Sequence, residues 1–94
     1  MKLIRDKVPD IMKADGKNPQ THVADEDEFK RLLIAKLVEE ALEYKLKPSA
    51  DELGDILEVV HALSIQYGGF EKVDEARKKK TSERGNFSKR IVLD

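Results

Sequence analysis

Two stretches of helical periodicity meet at Lys47-Pro48-Ser49, and that break limits the fold more than any other feature. Before it, Phe29, Leu33, Leu37 and Tyr44 fall on one helical stripe, widened by Leu32, Val38 and Ala41. After it, Ile56, Val59, Val60 and Leu63 form the apolar face of a second helix, flanked by Leu53 and Leu57. Proline ends a helix because its ring clashes with the preceding turn, and Ser49 is a natural N-cap for the next. A break this short folds the chain back on itself as a helical hairpin.

The rest of the chain is arranged around that hairpin. A short helix is expected from about Val8 to Ala14, with Pro9 in its first turn and Asp15-Gly16 as its stop. Asn18 to Val23 is a loop with room for a short extended piece. Asp25 and Glu28 open the first long helix in capping-box manner, and it runs from Glu26 to about Leu46. The second runs from Ala50 to about Tyr67, ended by Gly68-Gly69; a short basic helix follows from Glu71 to about Ser82. Gly85-Asn86 turns the chain, and Arg90 to Leu93 is an extended apolar tail. The expectation is one all-α domain over residues 1–94, an antiparallel helical bundle small enough that dimerisation would help complete it.

Four carboxylates sit at mirrored distances from the break. Glu43 and Glu52 lie equally far from the midpoint between Lys47 and Pro48, and so do Glu40 and Asp55, so the hairpin sets them in two level pairs. At ~100° per residue, Glu40 falls in the centre of the apolar stripe and Glu43 about 60° to one side. Glu52 and Asp55 share a face with Ile56, Val59 and Leu63, so three of the four acids point towards the core. An ionised carboxylate buried alone costs several kcal/mol, so protons, basic side chains or a metal must answer it. Oxygen-only donors without His or Cys select Mg²⁺ or Mn²⁺ over Zn²⁺, and Mg²⁺ is commonly completed by phosphates. Plainer roles are open for each acid: Glu52 closing a capping box on Ser49, Glu40 pairing with Lys36, Glu39 and Glu43 solvated.

Charge is distributed to suit such a ligand. Residues 39–58 hold seven acids against two lysines, and residues 72–90 hold eight Lys/Arg against three acids. The formal net charge of −1 and the lone Phe87 among the basic residues argue against nucleic-acid binding. With no Cys, disulfides and thiolate zinc are excluded. No apolar run approaches a membrane span, and a cytoplasmic location is the expectation. His61 projects away from Glu52 and His22 sits in a loop, so neither is given a role, while Tyr44 and Tyr67 could stack on a base but read first as core or dimer-interface material.

Lys36-Leu-Val-Glu-Glu-Ala-Leu-Glu43 followed by Glu52-Leu-Gly-Asp55 resembles the E-x-x-E…E-x-x-D signature of the all-α nucleoside triphosphate pyrophosphohydrolase superfamily. That superfamily includes MazG-like proteins, phosphoribosyl-ATP pyrophosphohydrolase and dimeric dUTPases. The opening Lys2-Leu-Ile-Arg-Asp-Lys-Val-Pro9 and the close Glu83-Arg-Gly-Asn-Phe-Ser-Lys-Arg-Ile-Val-Leu93 are similar to a small single-domain MazG-like branch. The resemblance implies Mg²⁺-dependent hydrolysis of a nucleoside triphosphate between the α and β phosphorus atoms, giving a monophosphate and pyrophosphate. Many members clear noncanonical nucleotides as house-cleaning enzymes, and the bundle usually assembles as a homo-oligomer, a dimer or tetramer. By position, Glu40, Glu43, Glu52 and Asp55 would hold the metal, and Glu39 or Glu40 would take a proton from water. Phosphate would fall to cations among Arg5, Lys7, Lys80, Arg84, Lys89 and Arg90. Two departures stand out: only eight residues separate Glu43 from Glu52, fewer than usual, and Asn86 replaces a common second glycine. The alternative is a non-catalytic helical module that binds metal or nucleotide, or that serves dimerisation.

Overall fold

Asp25 and Ser49 decide where the two long helices begin. Both have extended backbone, and each side chain accepts a hydrogen bond from the amide three residues on: Glu28 N to Asp25 Oδ1 at 2.9 Å, Glu52 N to Ser49 Oγ at 3.1 Å. Acids fill the first turn of each, where the helix dipole favours negative charge. The computed structural model describes residues 1–94 and is all-α: α1 Val8–Ala14, α2 Glu26–Leu46, α3 Ala50–Ser64 and α4 Phe70–Arg84. One 3₁₀ turn, Ile65–Tyr67, follows α3. The long third helix expected from sequence is therefore two pieces. Gly68 and Gly69, at φ 95° and 105°, then make the sharp turn into α4, a conformation that side-chain-bearing residues resist.

The α2–α3 hairpin is the principal packing unit, and α4 docks on the far end of α3. There His61 stacks on Phe70 with ring centroids 3.9 Å apart, and the buried Ser64 hydroxyl donates to the His61 carbonyl at 2.6 Å. Leu33 and Val59 are the only buried apolar residues. Tyr44 is half-buried, but Tyr67 is exposed, because the 3₁₀ turn carries it off the α3 face. The radius of gyration is 16.8 Å, where a compact chain of this length would have roughly 12 Å. The bundle is thus an open hairpin with attachments. Residues 91–94 are exposed and without regular structure, and no helix is long and apolar enough to cross a membrane.

Candidate metal centre

Folding back at Pro48 brings acids from both long helices together. One carboxylate oxygen each from Glu40, Glu52 and Asp55 lie within 4.8 Å of one another, and a second group joins Glu39, Glu40 and Glu43 at the same limit. Glu40 belongs to both and is the most enclosed acid, 7% exposed. Glu52 and Asp55 are half-buried and Glu43 is exposed, the inward order that helical periodicity anticipates.

Cations answer part of this charge. Lys36 Nζ lies 3.4 Å from Glu40 Oε1 and 3.3 Å from Glu39 Oε2, reaching forward one turn along α2. Lys2 approaches Glu39 at 3.7 Å. From the opening segment, Arg5 Nη2 donates to Asp55 Oδ1 at 2.7 Å and Arg5 Nη1 is 3.8 Å from Glu58. Two oxygens are left over: Glu40 Oε2 and Glu52 Oε2 are buried and have no hydrogen-bond partner. A buried acceptor without a donor is costly, and a hard cation with oxygen preference satisfies such a set. The residues present therefore fit Mg²⁺ or Mn²⁺. Glu43 carries the electrostatic trace of the cluster. Glu40's negative charge, then a hydrogen bond shared with Glu40 and desolvation, with smaller contributions from Glu52 and Glu39, pushes its carboxyl above the ordinary value.

Beside the acids lies a cleft of about 540 Å³ between the opening segment, α2 and α3. Glu40, Asp55 and Glu58 stand at its acidic part with Arg5, Lys7 and Lys36; Phe29, Leu33, Val59 and Ala62 supply apolar wall. The structure thus pairs Arg5 with the acids and sets Lys7 in the wall of the same cleft. It places Lys80, Arg84, Lys89 and Arg90 elsewhere: none lines this cleft, and the last three surround a smaller recess at the Gly85 turn. The pairing of Glu40 with Lys36 that the one-turn spacing allows is present. Glu58, brought to Arg5, is a site residue that sequence reasoning missed, its signal being the i+3 spacing from Asp55. His22, which had no partner visible in sequence, meets Glu28 at 2.7 Å, away from the cluster. Searches against protein-family models, curated proteins and solved structures find no match to this chain.

Proposed function

We propose that this protein is a Mg²⁺-dependent nucleotide pyrophosphohydrolase that works as a homo-oligomer, in keeping with the MazG-like resemblance of its acidic motif. The observation that carries the proposal is the pair of partnerless buried oxygens on Glu40 and Glu52, two of three residues whose carboxylates converge. Glu40, Glu52 and Asp55, with Glu43 beside Glu40, would hold the divalent metal, which would neutralise phosphate charge and acidify water. Glu39, with Glu40 beside it, takes the proton. Lys36 keeps these carboxylates oriented, while Arg5 and Lys7 neutralise phosphate oxygens. The oxygen of water bonds to the α-phosphorus, and the bond from that phosphorus to the α–β bridging oxygen breaks. Monophosphate and pyrophosphate result, with one water proton left on the carboxylate.

A second copy completes the fold. A compact monomer of this mass would expose roughly 5,500 Å², and the chain exposes 8464 Å². The difference, roughly 3,000 Å², is more than an obligate interface takes from one subunit, roughly 1,000–2,500 Å², and so leaves room for one. Ile34, Val38 and Leu42 on α2, with Leu53 and Leu57 on α3, are each at least half exposed. Ile34, Val38, Leu53 and Leu57 each follow a core-facing residue by one position. In an antiparallel pair that offset turns both rows to one side of the hairpin, opposite Glu39, Glu43, Asp55 and Glu58.

Chromatography of products from a panel of canonical and modified nucleoside triphosphates, with and without Mg²⁺, tests the activity. Metal-dependent monophosphate plus pyrophosphate is the expected result. No product, with melting still raised by metal and nucleotide, replaces the enzyme with the binding module.

A further inference from the structure

We infer that Arg5 is a tethered counter-cation that exchanges partners: it yields Asp55 to the divalent cation and takes a phosphate oxygen of the ligand instead. This rests on the metal site proposed above, and it assigns that site's ligand selectivity to a residue outside the hairpin. Asp55 is one of three converging carboxylates, and the Arg5 guanidinium already holds its Oδ1 at 2.7 Å. Glu40, more than nine-tenths buried in the same group, keeps one oxygen without a partner, so the existing cations do not saturate the site.

The three cations paired with these acids differ in freedom. Lys36 is mostly buried, rooted in α2 and shared between Glu39 and Glu40, so it stays with the carboxylates. Lys2 reaches only Glu39, outside the Asp55 group. Arg5 precedes α1, and its side chain is 57% exposed, so its head can turn without unfolding a helix. Leu3 and Ile4, half-buried at the cleft, anchor the segment while Arg5 turns. The planar guanidinium suits carboxylate and phosphate alike, which makes the exchange chemically even-handed. A divalent cation is the stronger claimant on Asp55 because it also gathers Glu40 and Glu52. Once displaced, Arg5 lies in the cleft wall where a metal-bound polyphosphate would rest.

Two affinities, measured on the full chain and on Arg5→Gln, test this. Mn²⁺ binding is read from the paramagnetic resonance signal of the free ion, and inorganic tripolyphosphate binding is read by calorimetry with Mn²⁺ present. Arg5→Gln should bind Mn²⁺ about three- to tenfold more tightly, having lost a competitor. It should bind tripolyphosphate about tenfold or more weakly, having lost a charge-assisted donor. Arg5→Lys, which keeps the charge, should hold Mn²⁺ as the parent does and lose only part of the tripolyphosphate affinity. Arg77→Gln on α4 should change neither. Opposite shifts in Arg5→Gln support the exchange, and any other pattern with the parent binding Mn²⁺ overturns it while leaving the metal site standing. A parent chain that binds no Mn²⁺ overturns both.

Discussion

On α4, Asp74 is hydrogen-bonded by Arg77 at 2.8 Å and met by Lys78 at 3.4 Å, all within one turn. On the hairpin, Glu43 looks at Glu40, Glu52 and Glu39 and has no cation of its own. The Arg77 hydrogen bond holds the Asp74 carboxyl below its usual value, whereas Glu40 pushes that of Glu43 above. Both regions are densely charged, but on α4 Asp74 and Glu75 meet cations of their own helix through i+3 and i+4 pairs. The hairpin brings acids together from two helices, and Glu43 has no such partner. Acids answered within their own helix need nothing from outside, and a cluster that is not so answered is where a ligand is worth seeking.

The sharpest break in that comparison is loss of function. Glu40→Gln and Asp55→Asn should each lower turnover by about 10²–10⁴-fold with helical circular dichroism intact, while Asp74→Asn should leave turnover unchanged. Equal rates in all three would remove the distinction between the regions. Next comes the apolar row opposite the acids. Leu57→Glu should shift the mass seen by light scattering to that of one chain, and cost about 1.5–3 kcal/mol of apparent stability in urea unfolding.

Gly54 gives a smaller effect of opposite sign. It sits in α3 between Leu53 and Asp55, and a Cβ there would meet nothing within 4 Å. Gly54→Ala should therefore raise unfolding stability by about 0.5–1 kcal/mol in EDTA. If nucleotide turnover falls in the same variant, the ligand or the second copy uses that open space.

The smallest effects are in pH dependence. A raised carboxyl stabilises the fold while protonated, and that contribution is lost as pH rises through its folded value, above 4.5. Glu43→Gln should thus melt higher than the parent at pH 7 in EDTA, with the gain fading as pH falls through 4.5. Asp74 has the reverse sign: its contribution is present above 3.8 and lost as pH falls through the lower folded value. Asp74→Asn should melt lower at pH 7 and converge on the parent below 3.8. Melting scans across that range in both variants check the two signs together.

Much of the fold was legible because its signals are local. The caps at Asp25 and Ser49, the stop at Lys47-Pro48 and the double glycine at 68–69 each act within a few residues, so the helix limits followed closely. The end of α3 was less legible, since passing from α-helix to 3₁₀ at Ile65 changes bonding without changing the apolar pattern. The inward turn of Glu40, Glu52 and Asp55 was readable because periodicity fixes direction once a helix is granted.

The sequence by itself determined four helices, a hairpin and a set of acids aimed across it, since those depend on spacing along one chain. Only the tertiary structure decided which cations meet them. Arg5 reaches Asp55 across fifty positions, a pairing for which local spacing carries no information. Lys80, Arg84, Lys89 and Arg90, equally basic, are carried elsewhere because α4 leaves the hairpin at the far end of α3. The tertiary structure also left the α2–α3 apolar rows uncovered: α4 docks on the far end of α3, and no other helix packs along the hairpin.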